Sequence, residues 1–278
     1  MSSPSSPGAS GFSLTGLDQT VGPLVRQAGE IAVRQFRASP SVENKGEGRG
    51  AFDPVTEADR MTERFLRREL SARYPDTRIV GEEDGTSGPE APAATWVIDP
   101  IDGTRAYITG VPLWGVLLGL VVDGRPVAGW CRQPYLGETF AAVDGRGWLD
   151  GAGGRRELRT RPTADLAEAS MCSTHPSMFS TPWSRAAFET LAGRVRLQLF
   201  GGDCYSYCLL ALGFVDLVVE SDLQAYDIVP LIPIVEAAGG VITGPRGETP
   251  LEGGFVIAAA TPELHARAME CVHARPDA

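Results

Sequence analysis

Between residues 15 and 37 apolar side chains return at three- and four-residue steps: Leu17, Val21, Leu24, Val25, Ala28, Ile31, Ala32 and Phe36. That spacing lines one face of a helix and predicts an amphipathic α-helix. The stretch NKGEGRG, residues 44–50, breaks the pattern and predicts a loop. A second helical pattern starts near Thr56, a threonine N-cap followed by acids in the first turn, and Pro75 ends it. RIVGEE is a short strand running into Glu82 and Glu83, and TSGPEAPAA is a loop. Near-continuous apolar runs follow in TWVID and WGVLLGLVVDG, then RPVAGWCRQP and GETFAAV. Asp123-Gly124 and Asp144-Gly145 are turn signals that join them as sequential antiparallel strands.

After Pro162 the rhythm changes. LQLFGG reads as a strand, DCYSYCLLALG as a helix, VDLVVES as a strand and AYDIVPLIPIVEAAGG as one helix. VIT and GFVIAAA are strands, and TPELHARAMECVHAR closes the chain as a helix capped by Thr261. Alternation of strand and helix points to an α/β second half. The expected division is a disordered Ser/Pro/Gly-rich tail over 1–14, an α+β domain with an antiparallel sheet over 15–162, and an α/β domain over 163–278.

Composition narrows the function. The chain has 278 residues and a net charge of -10, which argues against a nucleic-acid binder. No apolar run approaches the roughly 20 residues that span a bilayer. The N-terminus has no basic start and no apolar h-region, so no secretory signal is expected. Cys131, Cys172, Cys204, Cys208 and Cys271 form no CxxC pair and read as buried free thiols in a reducing, cytoplasmic compartment. His175, His265 and His273 are too scattered to suggest a histidine metal site.

The acids are the informative residues. Asp59 lies in the first turn of the second predicted helix, Glu82 and Glu83 end one strand, Asp99 and Asp102 end the next, and Asp227 opens a late helix. Singly, Asp59 or Asp227 is most simply a helix cap. Five or six such acids without matching Lys or Arg would repel in one cleft unless a divalent cation lay among them. Hard oxygen donors select Mg²⁺, Mn²⁺ or Ca²⁺. In DPIDGT, two carboxylates three residues apart around a bend can face one point, and the Ile101 carbonyl between them can face it too. Gly103 permits close backbone approach, and amides at the start of the turn or helix at Thr104 can seat a phosphate. Metal ligands beside an anion seat suit phosphate-ester hydrolysis, with Thr104 and a carboxylate such as Asp59 orienting the attacking water. No Cys nucleophile, GxSxG elbow or EF-hand loop competes.

WVIDPIDGT, with GEE upstream and YDIVPLIPIVEAAGG downstream, resembles the inositol monophosphatase family of Mg²⁺-dependent, lithium-sensitive phosphatases, from about residue 15 to the end. The resemblance implies a layered α-β-α-β-α sandwich and a homodimer. It implies that Glu82, Asp99 and the Ile101 carbonyl hold one metal and that Asp99, Asp102 and Asp227 hold a second. Glu82 would also help a third through waters, with Mn²⁺ a possible substitute for Mg²⁺. It further implies that Thr104 with Asp59 activates water, assisted by Glu82 on the first metal, and that the Gly103 and Thr104 amides hold phosphate. Glu83 is a weaker second-sphere candidate. Tyr226 stands where most members carry Trp.

Three details resemble the histidinol-phosphate phosphatases of histidine biosynthesis within that family. They are Arg105 followed by Ile-Thr-Gly-x-Pro, FGGDCYSYCLLALGFVDLVVE, and FDPVTEADR after a Gly-rich loop. Histidinol phosphate carries an ammonium and an imidazole, so its pocket should offer carboxylates beyond the metal ligands, and Asp203, Glu220 and Asp227 are candidates. Asp203 is equally a helix N-cap. Arg105 either meets substrate phosphate or bridges to an acid. Lys45 either reaches a metal-bound water or is solvated. Hydrolysis of L-histidinol phosphate is the leading expectation. The rivals are an inositol-1-monophosphatase or broader sugar-phosphate phosphatase, and an inactive metal- or phosphate-binding regulatory protein.

Overall fold

The computed structural model describes residues 12–38, 42–44 and 54–273. Lys45 and residues 45–50 of the expected loop lie outside them. So do residues 1–11 of the expected tail, whereas Phe12 packs on Tyr74 and Trp96 with ring centroids at 5.6 and 6.3 Å.

The chain opens with α1 (Leu17–Gln35), the hairpin of β1 (Val42–Asn44) and β2 (Pro54–Thr56), and α2 (Glu57–Arg73). Next come β3 (Arg78–Gly81), β4 (Gly85–Ser87), β5 (Thr95–Asp102), α3 (Thr104–Ile108), β6 (Gly115–Val122), β7 (Arg125–Gln133), β8 (Glu138–Val143), β9 (Arg146–Gly151) and β10 (Gly154–Glu157). β3 and the seven strands that follow it make an eight-stranded sheet in the order β10-β9-β8-β7-β6-β5-β3-β4. It is antiparallel except where β3 pairs parallel with β5, a departure from the purely antiparallel expectation. Both predicted Asp-Gly hairpins form, with Asp123 and Asp144 at positive φ.

The second half adds β11 (Ser170–Ser173), α4 (Pro182–Ala192), β12 (Leu197–Phe200), α5 (Asp203–Ala211), β13 (Leu217–Leu223), α6 (Ala225–Ile228), α7 (Leu231–Ala237), β14 (Val241–Thr243), β15 (Gly254–Ala259) and α8 (Pro262–His273). Its strands form a mixed sheet in the order β12-β11-β13-β15-β14. Neither β11 nor α4 is anticipated by the periodicities above. The single helix expected over 225–240 divides into α6 and α7, because Pro230 carries no amide to continue the ladder. The loop expected over 86–94 yields its first two residues to β4.

Three apolar cores separate five layers. Helices α1 and α2 cover one face of the large sheet, α5 and α7 lie between the two sheets, and α4 and α8 cover the far face of the small one. This is the α-β-α-β-α sandwich that the resemblance implies. On β6, Val116, Leu118 and Leu120 enter the first core while Leu117 enters the second, which explains its unbroken apolar run. All five cysteines are buried and free. Among the described residues no helix is long and apolar enough to cross a membrane.

The Pro230 break is seated directly on the large sheet. A Cβ at Gly129 in β7 would collide with the Pro230 carbonyl oxygen. That neighbour is backbone and cannot swing away, so Gly129→Ala is expected at the upper end of the overpacking range, about 3 kcal/mol. Urea unfolding measures it, and a change below about 1 kcal/mol would contradict this packing.

Candidate active site

The two acids of DPIDGT pose a geometric problem. In a regular strand residues three apart point to opposite faces. Here the β5–β6 register slips between Asp99, opposite Leu117, and Asp102, opposite Gly115. The one-residue bulge turns both carboxylates toward one point. Asp99 Oδ1 accepts the Ile101 amide at 3.0 Å, and Asp102 Oδ2 accepts the Cys204 amide at 2.6 Å. Gly103 then takes φ +86, a left-handed conformation that favours glycine, and α3 starts at Thr104.

Asp227 reaches the same point from the second half of the chain. It is the third residue of α6 and closes a capping box, its Oδ2 accepting the Gln224 amide at 2.7 Å. Carboxylate oxygens of Asp99, Asp102 and Asp227 lie within 4.8 Å of one another. Glu82 sits in the turn just past β3, next to Asp99 electrostatically, and its amide donates to the Ile98 carbonyl at 3.2 Å. Asp59 is fully buried and closes the capping box of α2, where its Oδ2 accepts the Thr56 amide at 2.9 Å. The capping reading thus holds for Asp59 and Asp227, and Asp227 also joins the acid cluster.

The electrostatics follow from this crowding. Burial, then Glu82, Asp102 and Asp227, push the Asp99 carboxyl far above the usual range. Burial, then Asp203 and Asp227, do the same to Asp102. Burial raises Asp227 to about 6. Among the described residues, the groups that act most strongly on these three include no guanidinium or ammonium. Three convergent carboxylates are a donor set for a hard divalent cation, so the residues present fit Mg²⁺ or Mn²⁺.

Of these acids Asp102 and Asp227 line one side of a cavity of about 510 Å³, together with Gly103, Thr104, Arg105, Asp203 and Glu220. Asp203 is not the N-cap of α5. Gly202 occupies that position, and Asp203 follows it at φ +43, an uncommon conformation for a residue with a side chain. Its carboxyl is raised to about 6 by burial, against lowering contributions from the Thr174 hydroxyl and Arg105. Arg105 lies close enough to Asp203 to lower its carboxyl. Glu220 is buried, accepts the Thr174 amide and hydroxyl at 2.9 and 2.6 Å and the Tyr207 hydroxyl at 3.0 Å, and rises to about 7 through burial. The Thr104 hydroxyl donates to the Ile101 carbonyl at 3.1 Å, so two expected site groups are bonded to each other. Thr174 and Tyr207, which no sequence motif marks, also line the cavity, as does His175, considered in the sequence only as a metal ligand. Tyr207 lies one turn beyond Asp203 on α5, a spacing that could have flagged it. Thr174 and His175 sit in an irregular segment without a motif.

A model of the inositol monophosphatase family matches residues 15–276. The chain belongs to that family. Its members are phosphatases that act on small phosphate monoesters and use Mg²⁺, which agrees with the acid cluster. The chain is 36% identical over 258 residues to the bifunctional phosphatase IMPL2 of Arabidopsis thaliana, covering 89% of this chain and 72% of the relative. It is 34% identical over 226 residues to a histidinol-phosphatase of Chlorobaculum parvum, covering 81% and 84%. An inositol monophosphatase from Zymomonas mobilis superposes with a TM-score of 0.82 at 35% identity, covering 95% of this chain and 100% of that one.

Proposed function

We propose that the chain hydrolyses L-histidinol phosphate to L-histidinol and phosphate in a Mg²⁺-dependent reaction. The observation that carries the reading is a second acidic wall. Asp203 and Glu220 share the cavity with Asp102 and Asp227 but stand outside the Asp99, Asp102 and Asp227 trio. A cationic substrate end gives those carboxyls a partner, whereas an inositol ring offers only hydroxyls. Three donors already hold Glu220, so its orientation is set before any substrate arrives. The similarity to a histidinol-phosphatase supports the same substrate.

Asp99, Asp102 and Asp227, with Glu82 and the Ile101 carbonyl, would hold the Mg²⁺ ions. When bound, these cations acidify a water and neutralise phosphoryl charge. The Gly103 and Thr104 amides would seat the phosphoryl oxygens, and the Thr104 hydroxyl with Asp59 would orient the attacking water. Arg105, beside Asp203, would meet the outer part of the substrate.

Removing Asp203 should act on the cationic end alone. Asp203→Ala is expected to raise KM for histidinol phosphate about 10–100-fold, the loss of one charge-assisted hydrogen bond, and to leave KM for glycerol 2-phosphate nearly unchanged. Equal changes for both esters would remove Asp203 from substrate recognition. A second reading, inositol-1-phosphate or a broader range of sugar phosphates, is favoured by the relative called bifunctional and by the Zymomonas structure. Initial rates on histidinol phosphate and inositol 1-phosphate decide between them, and a higher kcat/KM on inositol 1-phosphate would reverse the ranking.

A further inference from the structure

Glu63 is a carboxylate with no solvent exposure, set in the middle of α2. Burying such a charge costs several kcal/mol unless hydrogen bonds and a counter-charge offset it. Its partners are therefore informative. Oε2 accepts the Glu83 amide at 2.8 Å, and Oε1 accepts the Asp84 amide at 3.0 Å and Arg67 Nε at 2.7 Å. Arg67 continues outward, donating through Nη1 to Ser87 Oγ at 2.8 Å and through Nη2 to the Gly85 carbonyl. The pair thus grips the turn between β3 and β4 from α2. A Cβ at Gly81 would collide with Glu63 Oε1, so glycine immediately before the turn is what admits the carboxylate.

The turn has little packing value of its own, because every residue of β4 is exposed. Its valuable occupant is Glu82. The Glu82 amide is tied to Ile98, the residue before Asp99, and the next two amides are tied to Glu63. The Glu82 main chain is held from β5 on one side and from α2 on the other. Asp59, Glu63 and Arg67 recur at four-residue steps, so one helix face carries both Asp59 and the clamp on Glu82.

We propose that Glu63 is a positioning residue for the metal site, which fixes the reach of Glu82 toward Asp99 by holding the two amides that follow Glu82. The inference rests on the reading of Glu82 as a metal ligand. It does not depend on which phosphate ester is the substrate.

The test titrates the metal-free protein with Mn²⁺ by calorimetry, alongside the Mg²⁺ concentration that half-activates the enzyme. Glu63→Gln places an amide donor among three donors and should loosen the turn. Both quantities should rise about 10–100-fold, as when the partners of other metal ligands are removed. KM for the substrate at saturating Mg²⁺ should stay unchanged. Arg67→Lys keeps the charge but loses the fork, and should show a smaller shift in the same direction. Leu70→Ala, in the same helix but buried in the core, should lower Tm and leave Mn²⁺ affinity unchanged. Glu82→Gln supplies the reference. If Glu82→Gln weakens Mn²⁺ binding and Glu63→Gln does not, the positioning role is wrong. Should Glu63→Gln fail to fold, wild-type Mn²⁺ affinity in Arg67→Lys overturns it instead. If Glu82→Gln itself binds Mn²⁺ like the wild type, the ligand reading fails, and the inference with it.

Discussion

Asp99→Asn is expected to lower kcat by about a thousandfold or more, beyond the loss from deleting one stabilising donor in other active sites. The reason is position. Asp99 is buried at the centre of the cluster, within reach of Asp102 and Asp227 and acted on by Glu82. If it bridges two cations, its loss weakens both. The substitution is nearly isosteric and removes one of several repelling charges, so the metal-free fold should be no less stable than the wild type at pH 8. Steady-state kinetics with a melting curve checks both halves. Turnover near the wild-type level would remove Asp99 from the chemistry, and a collapse of Tm would mean that the carboxylate is structural.

Much of this site was legible along the chain, for identifiable reasons. DPIDGT concentrates two acids, a proline and a glycine within six residues, and a turn leaves its signature in residue type. Thr56 and Asp59 read correctly as a capping pair because capping is local. Hairpins at Asp123-Gly124 and Asp144-Gly145 were legible for the same reason. The β5 bulge was not, since a slip in register is a property of the pair and the partner strand carries no mark of it. Nor was the tie between Glu220 and Thr174, which are 46 residues apart and joined only because β11 and β13 run side by side. The sequence leaves Asp203 open between a cap and a substrate contact, because neither Gly202 in the cap position nor the positive φ of Asp203 is announced by residue type. Glu63 belongs to no motif along the chain, and only its complete burial singles it out.

The second large effect concerns stability, and its sign follows from the carboxyls. Asp203 and Asp227 are raised to about 6, Glu220 to about 7, and Asp99 and Asp102 well above the ordinary range, chiefly by burial. Groups raised in this way hold their protons more tightly folded than unfolded, where Asp and Glu titrate near about 4. Their contribution is therefore fully present below about pH 4 and is lost as pH rises through 6 to 7 and beyond. The metal-free protein should lose stability across that window as the cluster ionises. A divalent cation reverses the loss by binding the ionised form, and protons compete with it at lower pH.

The central claim is that acids distant in sequence converge and that a divalent cation makes the convergence tolerable. The most direct measurement is Tm of the metal-free protein with and without Mg²⁺, at pH 8.0 and at pH 5.5. At about a hundred times Kd, binding should contribute about 2.7 kcal/mol at pH 8.0. That corresponds to a rise of roughly 5 °C for a chain of this size, with a clearly smaller rise at pH 5.5 and none in Asp99→Asn. A Tm that Mg²⁺ leaves unchanged at pH 8.0, or raises equally at both pH values and in the variant, would contradict the account.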